Sequence, residues 1–491
     1  MKKTATKAKL VLTFVSLVLV TQLCACQASP TQNIVINKSE GTFDTNTVKP
    51  ATEQHTTDII ENVTKADDFY STDKSVHFQL HLDTNVQTNN MPVVEITPHY
   101  LTEADAERVA QVLFGGVTGY EAQPLLALTY SKSEIQKNIA RWSPYASNEG
   151  IMSLFGVEDD FTVEVVKRKI ADLTAQYETA SDTDIHLPCN WKYQKEAYYN
   201  YTGEDAVAAE SYLDNDMIMA TFEVNGAVYD YSVVTRNKED YKLNDISAYF
   251  HTAGSPMSID AAIFQADLCR TPKPSEEEVI AVRKKAEKML SEMQLGEWYI
   301  NDCIVENRIP EIGEYVISIT AFPVLNGVKT LPVQQLTNLK NQANYASNYY
   351  MSITNFEFSA KGDLISFHMA SPIDTKQIVD ENADVLNTND LIVRAQEHLV
   401  LSDAASYLPF QVDSETEKKI ACLVNIDDIQ YGLARVKIPD TDRSYYYVPS
   451  VTMMGNVIVQ SKDGKNTFYA TENAQPLIQI NAVDGTIIEK N

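Results

Sequence analysis

Apolar and polar residues alternate from residue 76 to residue 83, which is the clearest local pattern in the chain. Val76, Phe78, Leu80 and Leu82 occupy every second position, and polar residues fill the positions between them. A period of two is typical of a strand that buries one face and exposes the other. The run Pro92–Thr97 predicts a second strand shortly afterwards.

Apolar residues recur at helical spacing in several longer segments, and end signals bound some of them. Thr102, with Asp105 three residues later, predicts a capped helix start, and Gly115-Gly116 predicts its end at Phe114. Ser275 and Glu278 form the same kind of capping box. Helices are expected over about 102–114, 131–142, 162–179, 275–294 and 390–399.

Turn residues between β-type segments predict hairpins. Asn225-Gly226 is a favoured two-residue turn between segments 217–224 and 227–235, and residues 361–363 separate two further strands. Other strands are expected at 298–306, 315–322, 355–359, 364–369, 420–426, 431–438, 444–451, 457–460 and 477–480.

Helices laid on antiparallel sheets define an α+β fold. Length alone suggests roughly three domains. The expected organisation is two or three helix-plus-sheet modules after a disordered tether, with one boundary where two prolines bracket Lys273. The predicted segments are a lipoprotein signal peptide at 1–25, a lipidated N-terminus and flexible tether at 26–70, an N-terminal α+β domain at 71–270, a middle module at 271–380 and a β-rich C-terminal module at 381–491. The units starting at Ser275 and near Asn389 are each a helix followed by strands, which suggests a diverged repeat.

The first 26 residues have the layout of an export signal. Four lysines precede an apolar run from Leu10 to Val20, and Leu23-Cys24-Ala25-Cys26 follows. These last four residues resemble a bacterial lipobox, in which the final cysteine is lipidated, although a cysteine is unusual at the second position. Cys24 is a poor acceptor because the bulky Leu23 precedes it. The prediction is therefore lipidation at Cys26.

Lipidation at Cys26 would give a thioether-linked diacylglycerol, with palmitate as a typical acyl chain, and two acyl chains hold a protein stably on a bilayer. The apolar run is shorter than the roughly 20 residues of a membrane span. The expected location is the outer, extracytoplasmic face of the cell membrane. The alternative is ordinary secretion after cleavage near Ala25 or Ala28.

The chain is strongly acidic. Its formal charge is −27, and loss of the four leader lysines would take it to −31. Such a protein is repelled by nucleic acid and by anionic headgroups, so nucleic acid is not an expected partner.

Four cysteines lie beyond the leader, and none of them shows CxxC spacing. An exported protein can form disulfides, but four cysteines allow three pairings. Separate buried thiols are the favoured interpretation, with Cys269 and Cys303 as the best-placed pair if a bridge forms. The remaining two are Cys189 and Cys422.

Signatures of catalysis or metal binding are weak throughout, so no catalytic, cofactor or metal residue is assigned. His77 and His81, with Asp83, lie on a predicted strand, so they suggest a solvated face rather than a shared metal. The series Asp440, Asp442 and Ser444 has calcium-loop spacing but lacks the glycine at position six and the glutamate at position twelve.

Paired carboxylates are more often helix caps and turns than acid–base pairs when no cleft is known. The pairs in question are Asp159-Asp160, Asp182 with Asp184, and Asp427-Asp428.

Tyrosine clusters are the most suggestive surface features, since tyrosine is enriched at interfaces. They lie at 198–201 and 445–447. Alternation within the second places Tyr446 opposite its neighbours and suggests at least one exposed tyrosine. Packing of the tyrosines on their own sheets is nevertheless the favoured interpretation.

Several segments together resemble a family of uncharacterised lipoproteins of gut Gram-positive bacteria. They are Ile34–Gly41, Met91–His99 with the helix end Phe114–Gly116, Ile426–Gly432 with Tyr445–Pro449, and Asn481–Gly485. The resemblance implies structural motifs and supplies no catalytic residues. The helix-then-sheet units also resemble PepSY-type and YycH/YycI-type extracytoplasmic modules at the level of topology.

The leading functional expectation is a non-enzymatic, membrane-anchored lipoprotein that contacts envelope proteins or glycans in a regulatory or assembly role. The first alternative is a lipoprotein that captures a small molecule or glycan. A hydrolase whose site is assembled only by the fold comes third.

Overall fold

The computed structural model describes most of the chain from residue 60 onward. The described ranges are 60–87, 91–121, 130–183, 186–195, 215–225, 227–236, 244–250, 263, 270, 272–309, 313–331, 352–408, 410, 412–437, 445–471 and 473–488. Within them the protein has an α+β fold, as the sequence predicts, with helices packed on two large, mostly antiparallel sheets.

The described part of the chain contains seven α-helices. They are α1 (Glu103–Phe114), α2 (Lys132–Trp142), α3 (Asn148–Phe155), α4 (Asp160–Tyr177), α5 (Glu276–Met293), α6 (Thr388–Leu399) and α7 (Ser414–Glu417). The five predicted helices are confirmed to within a few residues, whereas α3 and the single turn α7 were not predicted.

Eighteen strands lie in the described residues. They are β1 (Ile60–Tyr70), β2 (Val76–Gln87), β3 (Val93–Pro98), β4 (Tyr120–Glu121), β5 (Gln194–Lys195), β6 (Asn215–Val224), β7 (Ala227–Arg236), β8 (Asn244–Phe250), β9 (Glu297–Ile309), β10 (Glu314–Leu325), β11 (Val328–Lys329), β12 (Ile353–Ser359), β13 (Leu364–Ala370), β14 (Ile373–Asp380), β15 (Ile420–Lys437), β16 (Tyr445–Ser461), β17 (Thr467–Ala470) and β18 (Gln475–Asn481).

The first sheet has the order β1-β2-β15-β16-β3-β14, with β17 and β18 also paired to β16. Strands β2 and β15 run parallel, with Val76 opposite Cys422. The second sheet has the order β11-β10-β12-β13-β8-β7-β6-β4, with β9 paired to β10 and β5 to β6. All strands of the second sheet therefore lie, in chain order, between β3 and β14 of the first.

This order means that the second sheet is inserted into the first. Strands of the predicted 71–270 and 271–380 segments contribute to both sheets, while the strands after residue 381 all lie in the first sheet. The module boundaries at 270 and 380 remain predictions. One correction concerns the tether, because residues 60–70 of the predicted 26–70 segment form the edge strand β1. Most side chains of β1 are polar and exposed, so its sequence lacks the alternating apolar pattern that would have predicted a strand.

Each sheet has its own core. Helix α6 packs on the first sheet over Phe78, Leu80 and Val424, while α1 and α5 pack on the second sheet over Phe222, Tyr231 and Phe356. Helices α2, α3 and α4 form a separate small cluster around Trp142, Ile151 and Val166. Full burial of such side chains contributes about 1.5–3 kcal/mol each, so these cores dominate stability.

Candidate functional site

The residue with the strongest predicted chemistry, Cys26, lies outside the described residues, as do the tyrosine cluster at 198–201, the Asp440–Ser444 series and Cys269. The structure instead places a polar cluster where the two sheets join. We call His99, Asp105, Arg108 and Asp374 the joint.

The joint forms because two segments cross between the sheets side by side. Strand β3 ends at Pro98, and the chain then enters α1. Strand β14 begins at Ile373, directly after β13 of the second sheet. The His99 backbone N–H donates to the Pro372 carbonyl at 2.8 Å, which ties the two crossings together.

The His99 ring lies between two carboxylates. Its Nδ1 is 2.9 Å from Asp374 Oδ1, and its Nε2 is 3.4 Å from Asp105 Oδ2. A protonated imidazole donates from both nitrogens, whereas the neutral ring donates from one. Through these two contacts the ring links β14 of the first sheet to the helix packed on the second.

Asp105 performs two tasks at once. As the third residue of α1 it accepts from the Thr102 backbone N–H at 2.8 Å and from the Thr102 hydroxyl at 2.6 Å, which completes the predicted capping box. It also pairs with Arg108, whose Nε donates to the Met293 carbonyl at the end of α5 at 2.7 Å. The Asp105 side chain is only 9% exposed.

The pKa of Asp105 reflects this setting. Burial acts to raise the pKa, but hydrogen bonds from Thr102, Arg108 and His99 together outweigh it and lower the pKa below its ordinary value. Asp105 is thus an ionised, positioned carboxylate that holds α1 against both α5 and the crossing segment. This arrangement can fix the sheets relative to each other.

A second buried carboxylate, Glu95, fastens β14 to the first sheet. Lys376 Nζ donates to Glu95 Oε1 and Gln377 Nε2 to Glu95 Oε2, both at 2.6 Å. Strand β14 is an edge strand with mostly exposed side chains, and its pairing with β3 is interrupted at two points. These contacts supplement a backbone ladder that is weakened by the irregular register.

The small helical cluster carries three exposed apolar side chains that lie within ten positions of one another in sequence. We define the apolar tip as Met152, Val157 and Phe161, which lie in the second turn of α3, in the following turn and in the first turn of α4. Phe161 is 76% exposed and Val157 59% exposed. Asp159 caps α4, and hydrogen bonds from Thr162 and Phe161 lower its pKa, so it is ionised beside the tip.

The other predicted carboxylate pairs serve as caps, turns and surface ion pairs where they are described. Asp159 caps α4, Asp428 accepts from the Ile429 N–H at 2.8 Å beside an irregularity in β15, and Asp182 pairs with Lys132 at 2.8 Å. Asp184 lies outside the described residues.

The predicted histidines lie on β2, as expected. His81 is exposed, and His77 stacks on Tyr70 of β1 with ring centroids 4.5 Å apart. No group of three or more His, Cys, Asp or Glu residues in the described ranges is arranged to hold a metal ion.

The favoured interpretation of the second tyrosine cluster, packing on its own sheet, is confirmed, whereas the expectation of an exposed tyrosine is wrong. Tyr445 and Tyr446 are half-buried and Tyr447 is buried at the start of β16, so none of the three is fully exposed. Tyr447 packs with Val94 and Leu433, whereas Tyr446 packs with Val448 on the other face, and this agrees with the predicted alternation. The expected exposed tyrosine is absent because both faces of the sheet are covered at this point.

The described cysteines are separate thiols, namely Cys189, Cys303 and Cys422. Their separation is confirmed for these three, but only Cys422 is buried as expected, and Cys189 and Cys303 are half-buried.

Sequence reasoning did not identify the joint or the apolar tip. His99 and Asp374 are 275 positions apart, so no local pattern could pair them. Phe161, however, had a usable signal. It lies outside the buried stripe of Val163, Val166, Ile170 and Leu173, so an exposed aromatic could have been predicted there.

Comparisons with known proteins identify no family. No family model matches the chain, and no curated protein matches it. A crystal structure of an uncharacterised protein from Eubacterium rectale is similar at a TM-score of 0.38 and 10% identity, over 86% of this chain and 92% of that one. No helix in the described ranges is long and apolar enough to cross a membrane.

Proposed function

We propose that the protein is a lipoprotein anchored through Cys26 on the extracytoplasmic face of the cell membrane, where it acts as a non-enzymatic interaction or regulatory protein of the envelope. The observation that carries this proposal is the order of basic residues, apolar run and Leu23-Cys24-Ala25-Cys26. Two acyl chains on Cys26 would be enough to hold the folded sheets at the membrane.

The apolar tip supports the interaction role. Phe161 is an exposed aromatic side chain, and Glu158, Asp159 and Asp160 lie beside it in sequence. Negative charge around an apolar centre disfavours anionic lipid and complements a protein surface with an apolar pocket rimmed by lysine or arginine. The proposed partner is an envelope protein with such a surface.

Fractionation tests the anchor. Wild type should sediment with membranes, and Cys26→Ser should appear in the medium or a soluble fraction, while Cys24→Ser should remain with membranes. Retention of Cys26→Ser in the membrane fraction would contradict anchoring at this residue.

Proximity cross-linking on intact cells tests the interaction role. Phe161→Ser should lose a specific protein neighbour that wild type recovers. Phe468→Ser is the matched control, because Phe468 is also an exposed aromatic (40%) but lies on the first sheet. Equal recovery from both variants, or the absence of any specific neighbour in wild type, would oppose this role for the tip.

A further inference from the structure

The insertion of one sheet into the other divides the described chain into two bodies. The first body contains β1–β3 and β14–β18, and the second contains β4–β13. The chain passes between them at residues 99–102 and 371–372. These crossings lie side by side, and Ser371 has a φ of +46°, a conformation that non-glycine residues rarely adopt.

Away from the crossings, the bodies also meet at a short segment of the second body. We call residues 328–331 the strap. The Leu331 N–H donates to the Leu433 carbonyl on β15 at 2.8 Å, and Thr330 forms a parallel bridge with Leu433. Leu325, at the end of β10, packs with Ile96, Leu433 and Tyr447 of the first body in one buried apolar cluster.

The strap belongs structurally to the second body. The Thr330 N–H and hydroxyl both donate to the Pro323 carbonyl, at 3.1 and 2.8 Å, and the Tyr299 hydroxyl donates to the Thr330 carbonyl. These contacts hold the strap on β9 and β10. Separation of the bodies would therefore break the strap's contact with Leu433 and leave its contacts with β9 and β10 intact.

Gly432 makes this contact close. A Cβ added at Gly432 would lie 2.6 Å from the Lys329 carbonyl oxygen and 2.7 Å from Leu331 Cγ. Only a residue without a Cβ allows the strap to reach β15 at this distance. The strap therefore packs closely against β15 at Gly432, and one added methyl group at this position would prevent the contact.

We propose that the protein is a hinged two-body molecule that opens about the paired crossings when the strap leaves β15. A few residues at element ends can absorb such a rotation. Opening would also separate Leu325 from Ile96, Leu433 and Tyr447. The strap acts as the latch of the closed state, and the joint lies at the hinge. The inference does not depend on the proposed function.

Distance measurement tests the hinge. Spin labels at Asn225 on the second body and Asp463 on the first, attached through a noncanonical residue so that native cysteines stay unlabelled, report the separation in the full chain in detergent. Wild type should give a distribution dominated by the closed distance. Gly432→Ala should shift that distribution to a different separation while circular dichroism remains native.

Gly455→Ala is the matched control. Its Cβ would collide with the Asn425 carbonyl oxygen and Leu477, both within the first body, so it should lower the melting temperature without changing the separation. If Gly432→Ala does not fold, Leu331→Ala removes the apolar contact of the strap and should give the same shift. The proposal is overturned if the folded strap variant keeps the wild-type distribution, or if Gly455→Ala shifts it equally.

Discussion

Replacing Asp105 with asparagine should destabilise the second body and its attachment at the joint. The Asp105 carboxylate accepts from the Thr102 backbone N–H and hydroxyl, pairs with Arg108 and faces His99. Asparagine keeps one carbonyl oxygen for the cap but loses the charge. The change therefore tests whether the carboxylate does more than cap a helix.

The expected loss follows from these contacts. The N-cap residue Thr102 is unchanged and asparagine keeps an acceptor oxygen for it, so most of the cap contribution should be retained. The pair with Arg108, which is 31% exposed, contributes about 0.5–1 kcal/mol once solvent screening is allowed for, and the His99 contact contributes a similar amount. The total of about 1–2 kcal/mol corresponds to a melting temperature lower by roughly 2–8 °C on the scale of domains of about 150–250 residues.

The pH dependence gives a second, independent signature. The folded-state pKa of Asp105 lies below its ordinary value of 3.8, so the stabilisation is fully present above that value and is lost as pH falls through the folded pKa. The difference in melting temperature between wild type and Asp105→Asn should therefore shrink as pH falls below about 4, where the carboxylate takes up a proton.

Thermal melts followed by circular dichroism provide the assay, with Glu278→Gln as the control. Glu278 completes the same kind of capping box on α5, accepting from the Ser275 N–H at 2.7 Å, but it is exposed to solvent. Its variant should show a smaller shift. If Asp105→Asn costs no more than Glu278→Gln, the contacts of the joint add nothing to the cap, and the reasoning fails.

The remaining predictions concern buried groups. Burial raises the pKa of Glu314, so wild type should lose stability relative to Glu314→Gln as pH rises from about 4 to 7 in thermal melts; a constant difference would contradict this. Tyr231→Phe removes a 2.7 Å hydrogen bond to the Ala106 carbonyl and should cost about 1 kcal/mol in urea unfolding, whereas an unchanged midpoint would show that the bond contributes nothing. Burial raises the pKa of Cys189 to about 11 and raises the pKa of the more deeply buried Cys422 further. Iodoacetamide should therefore alkylate Cys189 before Cys422 in the native protein, and peptide mass spectrometry measures the two rates. Equal rates for the two thiols would argue against this order.

The sequence predicted those elements whose signals are local. Helix α1 illustrates this, because Thr102 and Asp105 lie three residues apart and Gly115 follows the helix with a φ of +63°, in the left-handed conformation that glycine favours. The α+β class followed because such helices and hairpins could be placed individually.

Strand partners were not predictable in the same way. Strands β2 and β15 pair across more than 300 positions, and a periodic pattern names a buried face without naming its neighbour. Edge strands β1 and β14 lacked even that signal, because their side chains are mostly exposed. The insertion of one sheet into the other depends on these pairings, so it appeared only in the structure.

In the joint, Asp105 makes one contact that the sequence predicts and one that only the topology determines. Asp105 was predicted correctly as part of a cap, because its partner Thr102 is three positions away. The contact of Asp105 with His99 depends on the position at which β3 ends, because His99 directly follows that strand. His99 in turn meets Asp374 because β14 pairs with β3 and begins beside residue 99. A residue's local role can thus be predicted from sequence, while its second role arises from topology. At this site the second role is the one that ties the two bodies together.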